Sequence, residues 1–179
     1  MERNSKGIAV TVAIVAAIGV SLVAMLAVLN RKDQTVGLNQ EIQYDDFAFS
    51  VQGVRKLTSL GGGDPQNGAQ SVYYVVTLKI ANHAKRVDYR FKQASAILAD
   101  DAGREFHLSE NGQQSLDAIH SNQCSRPIPA GASCTTELAF ELPENAHASL
   151  LRISEGGTLG DMLDFVFYGT KRIALGSLQ

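Results

Sequence analysis

Tryptophan is absent, cysteine occurs only twice, and neither sign of charge dominates: 16 Lys and Arg stand against 18 Asp and Glu in 179 residues. A near-neutral chain gives no electrostatic reason to expect a nucleic-acid partner, which needs a concentrated basic face. Five Tyr and seven Phe without Trp suit a compact β-rich core rather than a stacking platform for bases or sugars. His83, His107, His120 and His147 never pair at helical or strand spacing, and neither cysteine makes a CxxC, so no metal site and no cofactor is expected. There is no GxSxG and no recognisable setting for a nucleophilic Ser or Cys. The carboxylates are spread along the chain, and nothing selects a pair. The chain reads as a non-enzyme with no catalytic residues to assign.

What is present begins with one long apolar run. From Gly7 to Leu29 the sequence GIAVTVAIVAAIGVSLVAMLAVL holds 23 residues without a charge. About 20 apolar residues cross a bilayer core as a helix, so the run is read as a single transmembrane signal anchor. A cleavable secretory signal is the competing reading, but its apolar region usually runs only about 7–15 residues before a clean small-residue site. Arg3 and Lys6 before the run are balanced by Arg31 and Lys32 after it, so basic residues leave the orientation open.

The two cysteines settle the orientation. They bracket one short Pro/Gly segment, CSRPIPAGASC, from Cys124 to Cys134. A disulfide there would staple the loop, and such bonds persist in oxidising compartments. The expected layout is a cytoplasmic N-terminus over residues 1–6, an anchor over 7–29, a polar tether over 30–40 and an extracytoplasmic domain over 41–179. The protein is therefore placed in the cell membrane as a single-pass chain.

The exported part is dominated by strand patterns. DFAFSV puts Phe47, Phe49 and Val51 on one face and Ala48 and Ser50 on the other, a half-buried strand. Gly53 then switches the parity, which marks a β-bulge. VYYVVTLKIAN, Val72 to Asn82, is apolar on one face throughout and predicts a central strand. Phe91–Leu108 reads as strand, turn, strand about Asp100–Gly103, and TTELAFEL after Cys134 alternates with Thr136, Leu138, Phe140 and Leu142 inward. Ala148–Ser154, Leu163–Gly169 and a short piece of KRIALGSLQ complete the set. One short helix is expected over Ser109–Ile119, with Ser109 as cap, Leu116 and Ile119 as apolar edge, and Gly112 as a weak point. About seven or eight short strands predict an all-β, immunoglobulin-like two-sheet antiparallel sandwich preceded by one transmembrane helix.

VGLNQEIQYDDFAFSVQGV, YYVVTLKIANHAKR, ILADDAGREF and IPAGASCTTELAFELPENA, in this order behind an apolar anchor, resemble the DUF4352-type domains. The resemblance covers about residues 36–170. It implies an extracytoplasmic immunoglobulin-like (telokin-like) sandwich of the bacterial cell envelope, as on secreted and lipoprotein-like chains, with no agreed catalytic residues to carry over. Ala102 within DDAG departs from the pattern, and the disulfide loop is not a general feature of such domains.

The leading expectation is an anchored binding module that presents loops to another envelope protein. The candidate loops are Gly61, Gly62, Gly63, Asp64, Pro65, Gln66 and Asn67, and Arg126, Pro127 and Ile128. A phosphate-cradling role for the first is not expected, because Ala69 and Gln70 follow the last glycine where a phosphate loop needs Lys and Ser or Thr. An extracytoplasmic sensor or carrier holding a small ligand or lipid between the sheets is the alternative, and an envelope hydrolase the third reading. The strong apolar parity predicts a filled core, which favours the binding module.

Overall fold

Apolar residues at every second position make Ser71–Asn82 the strand around which one sheet of the protein assembles. The computed structural model of the protein describes residues 18–23, 25–26, 34–61, 65, 70–119, 123–153 and 171–176. The remainder of the expected anchor and the expected strand Leu163–Gly169 lie outside the described residues. Of the 7–29 run, residues 18–23 and 25–26 are helical (α1), and Ile18, Val20, Leu22, Val23, Met25 and Leu26 are exposed. Among the described residues no helix is long and apolar enough to cross a membrane.

The described residues from Gln34 onward form one compact unit, a two-layer β-sandwich. Its strands are β1 (Gln34–Val36), β2 (Ile42–Tyr44), β3 (Phe47–Leu57), β4 (Ser71–Asn82), β5 (Ala96–Asp100), β6 (Glu105–Phe106), β7 (Ser133–Pro143), β8 (Ala148–Ile153) and β9 (Lys171–Ala174). One helix, α2 (Glu110–Ile119), lies between β6 and β7. The strands order as β1-β9-β8-β5-β6 in one sheet and β2-β3-β4-β7 in the other.

Among the described strands all pairings are antiparallel except β1 with β9, which is parallel with Gln34 opposite Lys171. This corrects two expectations. The sheet set is mixed rather than wholly antiparallel, and Gln34–Val36, expected in the tether, belongs to the sandwich. Three polar-leaning residues carry no local strand signal; β9 supplies the partner from far along the chain.

The core follows the parity of β4. Val72, Tyr74, Val76, Leu78 and Ile80 face Leu98, Leu151, Ile153 and Ile173 of the other sheet in one buried cluster. Leu138, Phe140 and Leu142 of β7 join them, as their alternation predicts. The register slips between Val51 and Gly53, where the bulge is expected, and this resets β3 so that Val54 joins the inner face. Tyr44 ties the layers together. Its hydroxyl meets the carbonyls of Ile153 at 3.1 Å and Lys171 at 3.2 Å, both on the opposite sheet.

The outer face of the β4 sheet is also covered, which corrects the half-buried reading of β3: Ala48 and Ser50 are buried too. Further along this face a second small cluster packs Leu116 of α2 on Tyr73, Val75, Ala139 and Leu60. Leu116 is thus an anchor of α2, while Ile119, expected beside it, is 55% exposed. Before β5, Gln93–Ser95 form a 3-10 turn, so the expected strand from Phe91 starts only at Ala96.

Helix α2 also closes the free edge of β7. Ser109 N–H donates to Ala139 O at 2.9 Å. The Gln113 side-chain amide then takes the place of a strand: its Nε2 donates to Glu137 O at 3.0 Å and its Oε1 accepts from Ala139 N–H at 3.1 Å. An open edge is a template for unwanted pairing, and this amide occupies it. Ser109 caps the helix as expected, its hydroxyl accepting from Gly112 N–H at 3.2 Å.

Gly112 is what lets the helix lie this close. A Cβ there would stand 2.8 Å from Tyr73 Cε1 and 3.1 Å from Ala139 Cβ. Helix propensity favours alanine over glycine by about 1 kcal/mol, whereas overpacking a rigid site costs about 1–3 kcal/mol. Gly112→Ala is therefore expected to destabilise the domain in urea unfolding despite its better propensity. A gain in stability would show that the helix can lift off the sheet freely.

Candidate functional site

The two sets of candidate loop residues lie at opposite ends of the sandwich. The 58–70 segment joins the far ends of β3 and β4, beyond Leu57 and Ser71, while the disulfide loop leads into β7 where Ser133 registers with Ala81. A twelve-residue strand separates them, about 36 Å at 3.3 Å per residue. They cannot form one surface.

In the first set, Gly61 has φ +58 and lies against α2; a Cβ on it would come within 3.2 Å of Ile119 Cδ1. Pro65 and the neighbouring Leu60 are buried, so this loop is not wholly exposed as its composition suggests. Gly62, Gly63, Asp64, Gln66 and Asn67 lie outside the described residues.

In the second set, Cys124 and Cys134 are joined in a disulfide with Cα atoms 5.6 Å apart. Cys124 is buried, and Cys134 packs on the core from the head of β7, on the apolar face its parity assigns. Arg126 and Pro127 are exposed. Ile128 is buried at 3% exposure and corrects its assignment as a contact residue: the loop folds inward and plants it in the core. Its backbone exchanges both hydrogen bonds with Tyr89, at 2.9 and 2.7 Å, joining the disulfide loop to the 83–92 loop.

One side chain holds this end together, that of Asn82, which the sequence pattern marks only as the last residue of a strand. Asn82 ends β4 at 1% exposure. Its Nδ2 donates to Val87 O at 2.8 Å and Ile128 O at 2.9 Å, and its Oδ1 accepts from Ala84 N–H at 3.0 Å. Its backbone exchanges bonds with Gly131 and Ala132 of the disulfide loop, both 2.9 Å. Gly131 turns there with φ +76, a conformation that favours glycine.

The Asp100–Gly103 turn holds an ion pair between the buried Asp100 and the exposed Arg104. Asp100 Oδ2 meets Arg104 Nε at 2.6 Å, and Oδ1 accepts from Arg104 N–H at 2.8 Å. Burial alone would push this carboxyl up; the backbone N–H and guanidinium of Arg104 outweigh it and hold the group below its ordinary value. The pair closes the hairpin between β5 and β6.

His83, His107 and His147 are exposed and apart, and His120 lies outside the described residues. Among the described residues no group of three or more His, Cys, Asp or Glu is placed to hold a metal ion. Among the described residues, side chains of both layers pack between the sheets in one buried cluster.

A model of a family of domains of unknown function, DUF4352, matches residues 36–161, most of the chain. The chain belongs to the DUF4352 family. The match brings no catalytic family with it. Among solved structures, the chain is similar to an uncharacterized β-sandwich protein from Clostridium difficile 630, at 10% identity and TM-score 0.52, over 82% of this chain and 97% of that one. It is similar to MPT63, a secreted protein from Mycobacterium tuberculosis, at 13% identity and TM-score 0.52, over 70% of this chain and 92% of that one. A conserved hypothetical protein from Bacillus anthracis aligns at 13% identity and TM-score 0.51, over 64% of this chain and 87% of that one. Identities this low show the shared sandwich alone. No curated protein matches the sequence.

Two predictions test the Asn82 end. Cys124→Ala with Cys134→Ala should cost about 2.5–3 kcal/mol, the loop-closure value for a separation of 10 residues, and lower Tm by about 10 °C with the domain still folded. Asn82→Ala should cost about 2–3 kcal/mol, because it strands buried backbone partners; a loss below 0.5 kcal/mol, measured by urea unfolding (~0.5 kcal/mol being a typical neutral surface change), would remove Asn82 from this role.

The Asp100 carboxyl has a folded pKa below its unfolded one, so its stabilisation is fully present above about pH 4 and is lost as pH falls through the folded value. Wild type should therefore exceed Asp100→Asn in stability at neutral pH, with the gap closing in the acid range. A gap that does not change with pH would contradict the ion pair.

Proposed function

We propose that this DUF4352 protein is a membrane-anchored module of the cell envelope that binds another envelope protein. The 7–29 run holds it in the membrane with residues 1–6 in the cytoplasm, and the sandwich stands on the other side. The placement is supported by the chain's only two cysteines being joined in a disulfide, which persists in oxidising compartments. A secreted protein of the same fold is consistent with it.

The observation that carries the binding reading is the apolar cluster packed between the sheets, which favours recognition on the surface. The same observation argues against a carrier of small ligands or lipids. The partner surface is α2 with the adjoining Leu60 and Gly61, where the exposed Ile119 lies beside Gly61. Exposed large apolar side chains on a rigid element are the usual anchors of such contacts.

Carbonate extraction should leave the full-length protein in the membrane pellet; a shorter soluble form would mean that the segment is a cleaved signal. A photo-crosslinking residue at Ile119 should give a discrete adduct in native membranes, and one at Thr35 on the other sheet should not. Equal labelling from both positions would remove α2 as the contact surface.

A further inference from the structure

We infer that the Asn82 end of the sandwich docks on an anionic bilayer surface, an inference that rests on the anchored reading above. The end is rich in unneutralised cations. Residues 83–92 and 125–130 carry Lys85, Arg86, Arg90, Lys92 and Arg126 against one acidic residue, Asp88. All five cations are exposed, and none forms an ion pair among the described residues. The β2–β3 turn adds Asp45 and Asp46 at this end, so in these three described loops five cations stand against three carboxylates, in a chain whose formal net charge is −2.

Between Arg86 and Asp88 stands Val87, 62% exposed. It is held out by its carbonyl, which Asn82 Nδ2 fixes at 2.8 Å. An apolar tip flanked by basic side chains suits an interface where the tip enters the headgroup layer and the cations meet phosphates. A rigid loop does this without the entropy cost of ordering a floppy one.

Connectivity identifies the occupant as a bilayer rather than a soluble anion. Gln34 lies opposite Lys171, whose carbonyl accepts from Tyr44, and Tyr44 leads through the short turn to Phe47 opposite Asn82. The first residue of β1 is therefore at the basic end. The apolar run stops at Leu29, five peptide steps earlier, a reach of at most about 18 Å. An anchored chain keeps this end within reach of the headgroups. Each Lys or Arg near an anionic membrane favours the docked state about fivefold.

The absence of tryptophan supplies the probe. Full-length Val87→Trp is reconstituted into vesicles of phosphatidylcholine alone and of phosphatidylcholine mixed with phosphatidylglycerol. Its emission should shift to the blue and be quenched by brominated lipid only in the anionic vesicles. About 1 M salt, where the Debye length is about 3 Å, should reverse the shift. Lys85→Glu with Arg86→Glu and Arg126→Glu on the Trp background should abolish it, with Tm near that of the parent as a check on folding. Emission that is the same in both vesicle types would overturn the inference. A shift produced by soluble polyglutamate without vesicles would overturn it in favour of an acidic polypeptide. Flotation with neutral vesicles after a carbonate wash reads the anchor separately. Flotation without a Trp response sinks the docking surface alone, and no flotation with neutral vesicles sinks the anchor.

Discussion

A single buried amide organises one end of this domain. Asn82 satisfies three side-chain hydrogen bonds and two backbone ones at 1% exposure, and its partners belong to two different loops. Such a group is costly unless fully paired, so its presence fixes where both loops lie. The disulfide acts on the same place by another route: it shortens the unfolded loop, while Asn82 orients the folded one. Ile128 is held by both, which explains why a Pro/Gly segment of polar character sends its one large apolar residue inward.

The opposite long side of the β4 sheet is governed by a second amide. Gln113 imitates a neighbouring peptide along β7, and Gly112 removes the Cβ that would keep it at a distance. The helix therefore serves as a cover for an edge and for Tyr73, Val75 and Ala139 together. Between these two amides lies the apolar cluster packed between the sheets. The domain's stability comes from apolar burial, while its surface differs sharply from end to end.

Much of this was legible in the residues. Strict alternation located β4 and β7 and their inner faces, Gly53 marked the bulge, and the two cysteines announced their bond. The misses share one cause, which is that the deciding partner is remote in sequence. Nothing local in Gln34–Val36 signals a strand; it exists because β9 offers an edge. Ala48 and Ser50 follow the polar parity of β3 and are still covered. Gly112 lowers helix propensity in isolation, yet packing on Tyr73 requires it. The basic loop KRVDYRFK was in plain view, but a net charge near zero conceals a charge that is separated in space.

The parallel pairing of Gln34 with Lys171 also has a kinetic side. The two strands are 137 positions apart, and the Tyr44 hydroxyl that joins the layers bonds to Lys171 as well. Contacts of such long range form late in folding, since the intervening chain must first be ordered. A chain synthesised from its N-terminus must hold β1 in waiting until residue 174 has emerged. Until then β8 offers a bare edge, and that interval is when the nascent domain is most exposed to mispairing.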